Sequence, residues 1–255
     1  MSDGPVRTEE HGRVLLVTID RPEARNAINA AAAEGIAAAL SELDARDDLS
    51  VGVLTGAGKG FCAGMDLKAF LAGERPAVPG RGFAGIVEAP PAKPLIAAVE
   101  GFAVAGGFEI ALACDLIVAA EDAKFGLPEV RRGLLPGGGG LLRLPARIPY
   151  GTAMEWILTG ALVSAAQAHA VGLVNRLTPA GAALPAALEL AGEIARNAPL
   201  AIRAAKRIVV ESASWAPAEA FARQQAIYEP VRSSHDAIEG ARAFTEKRTP
   251  QWQGR

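Results

Sequence analysis

Four short apolar runs mark the first half of the chain: Val14 to Ile19, Val51 to Thr55, Leu95 to Val99 and Leu116 to Ala119, each bounded by Gly, Pro or Asp. Nearly continuous runs of this length, rich in Val, Ile and Leu, predict strands buried on both faces, as in a parallel sheet. Between the first two lies an Ala-rich segment, Asn29 to Asp44, with Asn29 as N-cap and Ile36, Leu40 and Leu43 at helical spacing. That pattern is a βαβ unit. Beyond about residue 145 the texture turns helical. Ser164 to Gln167 forms a capping box, Pro199 and Pro217 open further helices, and Asp236 precedes another. The Pro- and Gly-rich stretch from Gly73 to Pro94 is the longest predicted loop. The expected class is α/β, with a sheet-based core over about two-thirds of the chain followed by helices.

The stretch most like a membrane span, Gly101 to Ala120, is interrupted by Glu109 and Asp115 and fits a buried soluble segment better. Lys and Arg number 26 against 28 Asp and Glu in 255 residues, which leaves no surplus to steer the chain to nucleic acid or anionic lipid. At 50% hydrophobic and 21% charged, the sequence can bury a large core. Only Cys62 and Cys114 are present, and the first ten residues carry no apolar segment for secretion, so a reducing, cytoplasmic setting is expected. His11, His169 and His235 are scattered, and no metal is expected.

Glycine carries the chemical signal. Its 28 residues cluster after predicted strands, at Gly56 to Gly60, Gly106-Gly107 and Gly137 to Gly140. Nucleotide motifs fail there: Val53 and Gly60 stand where a P-loop needs Gly and Ser or Thr, and neither GxGxxG nor GxSxG occurs. In Ala105 to Ala113, by contrast, a strand ends in a glycine turn and a helix begins, leaving unpaired N–H groups at a positive dipole end. Glu109 in that first turn either faces the same site or complements the dipole from solvent. Glu129, behind Pro128, is on its own an ordinary helix-start acid. As a pair beside backbone donors, the two carboxylates fit proton transfer next to a carbonyl, one handling water and the other the carbon acid.

Three segments carry a resemblance: Phe61 to Leu67 (FCAGMDL), Lys93 to Gly140, and Leu158 to Leu177. They resemble the enoyl-CoA hydratase/isomerase, or crotonase, superfamily, and the likeness runs from Arg21 to the FTEKR segment near the end. GMDLKAF, GGFEIALACD, LPEVRRGLLP and the C-terminal tail look most like carnitinyl-CoA dehydratases, although those tend to carry Trp in the Met65 position and fewer glycines in the GLLPGGGG turn. The resemblance implies a repeated ββα spiral core, residues 1–195, and a C-terminal helical region, 196–255, for assembly as a homotrimer or a dimer of trimers. It implies an acyl-CoA thioester as substrate, with coenzyme A as part of that substrate and no further cofactor. The backbone N–H groups of Met65 and Gly106 would form an oxyanion hole. Glu109 would activate water and Glu129 would exchange the α-proton. Arg25, Ala27, Ala63, Asp66, Leu67, Gly107, Phe244 and Lys247 would bind coenzyme A or the acyl group. Having both acids favours hydration or dehydration; double-bond isomerisation and a non-catalytic CoA-binding subunit are the competing readings.

Overall fold

In the computed structural model, which describes residues 4–255, the chain opens with β1 (Val6–His11) and β2 (Val14–Ile19), an antiparallel hairpin turned at Gly12. Helix α1 (Ala30–Ala45) leads to β3 (Val51–Gly56), parallel to β2, which closes the expected βαβ unit. The Asn29 side chain caps α1 by accepting from the Ala32 N–H at 3.0 Å. A short helix α2 (Leu67–Leu71) and a small hairpin, β4 (Ala77–Val78) with β5 (Gly82–Phe83), precede β6 (Leu95–Val99). The predicted long loop therefore contains a hairpin. Next come β7 (Phe102–Val104), α3 (Gly106–Ala113), β8 (Leu116–Ala120) and β9 (Lys124–Gly126). The chain continues through a 3-10 turn at Pro128–Arg132, then α4 (Gly140–Arg147), α5 (Tyr150–Thr159), β10 (Val163–Ser164), α6 (Ala165–Ala170), β11 (Arg176–Thr178) and α7 (Ala183–Ala195). Helices α8 (Pro199–Ser212), α9 (Ala220–Arg232) and α10 (His235–Thr245) complete it.

The main sheet has the order β1-β2-β3-β6-β8-β11, and every neighbouring pair is parallel except β1 with β2. Successive residues of a strand face opposite sides, so each apolar run feeds two cores. Leu15, Val17, Leu54, Leu95, Ala97, Val99 and Ile117 belong to the core shared with α1 and α3. Val14, Leu16, Val51, Val53, Ile96, Ala98 and Val118 meet Ala187 and Ala191 of α7.

A second, narrower layer is built from segments that follow the main strands. Ile28 bridges Met65, Cys62 bridges Ala103 of β7, β7 pairs parallel with β9, and β9 pairs antiparallel with β10. Main strand, short second-layer segment and helix thus recur in order. Strand β2 is followed by Ile28 and α1, and β3 by the segment Cys62 to Met65 and α2. In the same way β6 is followed by β7 and α3, and β8 by β9 and α4. This is the repeated ββα arrangement expected.

Two helix starts differ from the sequence reading. Pro217 lies in a turn and α9 begins at Ala220. Asp236 lies inside α10, because Ser234 takes the cap by accepting from the Ala237 N–H at 3.0 Å. The Asp236 carboxylate instead accepts the Gln253 and Gly254 N–H groups at 2.7 and 2.9 Å, tying down the tail. Trp252 likewise makes a contact within the chain, its Nε1 donating to the Arg196 carbonyl at 2.8 Å. The Ser164 to Gln167 capping box and the Pro199 helix start stand as predicted. Among the described residues no helix is long and apolar enough to cross a membrane.

Asn26 ties the β2–α1 connection to the loop after β3. It is 1% exposed, with φ +55°, a conformation Asn tolerates better than most residues. Its Oδ1 accepts from the Arg21 N–H at 3.0 Å, and its Nδ2 donates to the Ala57 and Gly60 carbonyls at 2.8 and 2.7 Å. Asn26→Ala removes three hydrogen bonds, one buried and two part-buried, and is expected to lower stability by about 3 kcal/mol, read as a lower urea midpoint. An unchanged midpoint would remove Asn26 from this role.

Candidate functional site

The second layer brings Met65 and Gly106 together. In the parallel bridge to Ile28, the Ile28 N–H donates to the Gly64 carbonyl at 2.8 Å and the Asp66 N–H donates to the Ile28 carbonyl at 2.9 Å. A residue flanked in this way points its own N–H away from the partner segment. The Met65 N–H is therefore directed outward. Gly106 is the first residue of α3, where the N–H has no intrahelical partner. Among the described residues neither N–H donates to a protein acceptor. The two segments touch, since a Cβ on Gly106 would lie 3.4 Å from the Gly64 Cα.

This approach depends on glycine and on a strained neighbour. A Cβ on Gly107 would lie 2.1 Å from the Cys62 carbonyl oxygen, and one on Gly106 would lie 2.6 Å from the Phe83 ring. Ala105 caps α3 with φ 54° and ψ −130°, a conformation costly for a residue with a side chain. It is held there by its N–H donating to the Gly126 carbonyl at 2.9 Å, while its carbonyl accepts from Phe108 and Glu109. On the facing segment the Gly64 N–H donates to the Cys62 Sγ at 3.3 Å. Burial pushes the Cys62 thiol up to about 12, so it is a poor nucleophile at neutral pH.

Glu109, one turn along α3, is 3% exposed. Its Oε1 accepts the Gly138 N–H at 2.7 Å and the Gly140 N–H at 2.9 Å. A Cβ on Gly138 would lie 2.8 Å from Glu109 Oε2, so the glycine-rich turn sits closer to the carboxylate than a side chain would allow. Burial pushes the Glu109 carboxyl above its ordinary value, while the two N–H donors and the Arg143 charge pull it down. Glu129 lies in the 3-10 turn, with Pro128 at the start. Its Oε2 is buried and has no hydrogen-bond partner. Burial raises its pKa, the Glu109 charge raises it further, and its own backbone N–H and Arg132 oppose this.

Of the remaining candidates, Arg25, Ala27 and Ala63 adjoin this site. The Arg25 carbonyl accepts the Ala63 N–H at 3.1 Å, Arg25 is exposed, and Ala27 is buried one residue before Ile28. Leu67 is 60% exposed, two residues beyond Met65. The Asp66 carboxylate is already engaged. It caps α2 by accepting from Lys68 and Ala69 and pairs with Arg21 at 2.9 Å. Phe244, 85% exposed, and Lys247 lie at the end of α10 and take no part in the Glu109 network.

Two features of the site escape the sequence reading: Arg143 and the partners of the tetraglycine turn. Read from sequence, the glycines of that turn are possible ligand-facing donors; in the structure two of them serve Glu109 instead. The one available signal is an Arg three residues past the last glycine.

The family described as enoyl-CoA hydratase/isomerase matches residues 9–255. The chain is 43% identical to the enoyl-CoA hydratase EchA19 of Mycobacterium tuberculosis, over 97% of this chain and 96% of that protein. It is 45% identical to the carnitinyl-CoA dehydratase of Citrobacter koseri, over 96% of this chain and 97% of that protein. A crystal structure of enoyl-CoA hydratase from Mycobacterium tuberculosis superposes with a TM-score of 0.98 at 57% identity, covering 99% of this chain and all of that one. The match to one family model over nearly the whole length, with α/β architecture and closely superposing solved structures, means that the chain belongs to the enoyl-CoA hydratase/isomerase family.

Proposed function

We propose that the chain hydrates a 2-enoyl-CoA thioester, or dehydrates the 3-hydroxyacyl-CoA, with Glu109 and Glu129 as an unequal acid/base pair. The observation that carries this reading is the difference between their surroundings. Glu109 Oε1 receives two backbone N–H donors, whereas Glu129 Oε2 is buried without a partner. Donors favour an ionised carboxylate; burial without donors, beside another negative charge, favours the protonated acid. Glu109 is thereby suited to take a proton and Glu129 to give one. The two titrate as a coupled pair.

The step balances. The thioester oxygen rests between the Met65 and Gly106 N–H groups. Glu109 removes a proton from water as the water oxygen bonds to the β-carbon, and the displaced electron pair moves to the thioester oxygen as an enolate. That enolate collapses and takes the Glu129 proton at the α-carbon. Proton exchange then resets the pair. Preorganised N–H donors at the developing oxyanion are each worth about 3 kcal/mol of barrier.

Arg25, Ala27 and Ala63, which adjoin the site, would bind coenzyme A or the acyl group together with Leu67 and Gly107. Phe244 and Lys247 would reach the coenzyme from the C-terminal helices, 196–255. Val209, Val210 and Phe221, all more than 60% exposed on α8 and α9, support an assembly role for that region as a homotrimer, singly or paired as a dimer of trimers, beside the 1–195 core. A cytoplasmic location accords with an acyl-CoA substrate.

Glu129→Gln is expected to lower crotonyl-CoA hydration by about 10²–10⁴-fold with unchanged circular dichroism. Loss of the conjugated enoyl-thioester absorbance measures it, and incorporation of solvent oxygen separates hydration from isomerisation. Turnover of the variant at the wild-type rate rejects the assignment. Running crotonobetainyl-CoA alongside decides between the two kinds of relative.

In the hydration direction kcat/KM requires Glu109 ionised and Glu129 protonated. Both groups are raised, so activity rises with pH through a limb above the ordinary glutamate value as Glu109 loses its proton. It falls along a second, more alkaline limb as Glu129 loses its own. A profile flat across both regions contradicts these roles.

A further inference from the structure

The tetraglycine turn is held from outside by Arg143, one turn into α4. The guanidinium Nη1 donates to the Gly138 carbonyl at 3.3 Å, and Nη2 donates to the Val87 carbonyl. Gly138 is one of the two residues whose N–H groups bind Glu109. One peptide unit thus faces the carboxylate and the next faces the guanidinium. A Cβ on Gly139 would lie 2.3 Å from Nη1, so the turn is moulded onto the arginine as closely as onto the glutamate. Val87 lies in the Gly73 to Pro94 segment, and Arg143 therefore ties the turn at the start of α4 to that distant segment.

We propose that Arg143 is a positioning residue for Glu109: its two-ended hydrogen bonding fixes the Gly138 and Gly140 donors on the carboxylate, and it keeps a cation beside a buried anion. The inference rests on Glu109 being the base. Arginine suits the task because its planar fork spans two carbonyls at once, which a lysine ammonium on a flexible stem does not. The charged groups around this centre are few. The Glu109 charge acts on Glu129 in the 3-10 turn, and Arg143 acts on Glu109 from α4. Arg143 in turn feels Arg147 and Cys114, and Arg132 acts on Glu129. Arg143 is thus the cation that acts on Glu109 most directly, and removing it raises the pH at which Glu109 ionises.

The test compares Arg143→Met, Arg143→Lys and Glu109→Gln with the wild-type protein, reading kcat, KM and the pH dependence of kcat/KM for crotonyl-CoA. Arg143→Met is expected to lower kcat about 10²-fold, leave KM within about twofold, and move the acid limb to higher pH. Arg143→Lys keeps the charge and loses the fork, so its acid limb stays near the wild-type position while kcat falls severalfold. Should Arg143→Met fail to fold, the lysine variant decides alone: wild-type kcat in Arg143→Lys overturns the proposal. A folded Arg143→Met with an unmoved acid limb, or with a loss confined to KM, also overturns it. Full turnover by Glu109→Gln would instead reject the base assignment on which the inference stands, a result separate from any behaviour of Arg143.

Discussion

The close approach of two backbone segments, Cys62 to Met65 and Ala105 to Gly107, is the constraint on which this site depends. With no side chain at Gly107, the Cys62 carbonyl sits where a Cβ would otherwise stand, 2.1 Å from the built position. That contact brings the first turn of α3 against the second-layer segment leading to α2. It leaves the Met65 and Gly106 N–H groups on adjoining segments, neither donating to a protein acceptor among the described residues, and α3 then carries Glu109 inward one turn later. The strained Ala105 belongs to the same arrangement. Its conformation is unfavourable by itself, but bonds to Gly126 on one side and to Phe108 and Glu109 on the other over-determine it.

The ββα repeat explains why such a site arises between layers. Strands β2, β3, β6 and β8 are buried on both faces and contribute packing. The candidate site is built from the short segments that follow, which are too brief to satisfy all their own backbone groups. Ile28, the Cys62 to Met65 segment and β7 lie side by side through single bridges. Their ends expose N–H groups at the boundary where the helices begin. Asn26 and Arg21 stiffen this boundary from the α1 side, the former through Ala57 and Gly60 and the latter through Asp66.

What can be read from the sequence follows the same division. The four apolar runs are legible because a strand buried on both faces must be apolar at every position. Helix α1 is legible because Asn29 and the helical spacing agree. Strand β1, with the sequence VRTEEH, is invisible: it is an edge strand whose outer residues meet solvent, so no apolar run marks it. Strands β7 and β9 are three residues long and carry no period. Pro217 and Asp236 mislead because either residue type can open a helix, and local competition decides: a turn claims the first, and Ser234 takes the cap from the second. In the site, residue type and family likeness suggest Glu109 and Glu129. For Arg143 the one signal is its place three residues past the last glycine, because it acts through the carbonyls of Gly138 and Val87, five and 56 residues away. Backbone acceptors leave no trace in residue identity.

The two carboxylates also show how a protein tolerates buried acid groups that it needs. Burying an isolated carboxylate is expensive enough that the group takes up a proton instead. A pair of neighbouring carboxylates cannot easily be ionised together. Here the fold gives one of them two N–H donors and a nearby guanidinium, and gives the other an unpartnered oxygen. These surroundings favour negative charge on Glu109 over Glu129. Because both folded pKa values lie above those of the unfolded chain, folding binds protons, and the pair disfavours the folded state progressively as pH rises through that interval. The donors limit this penalty at Glu109; at Glu129 the proton itself limits it. In the proposed reaction, the arrangement that makes the buried pair tolerable supplies one base and one acid for two separate proton transfers, from water to Glu109 and from Glu129 to the α-carbon.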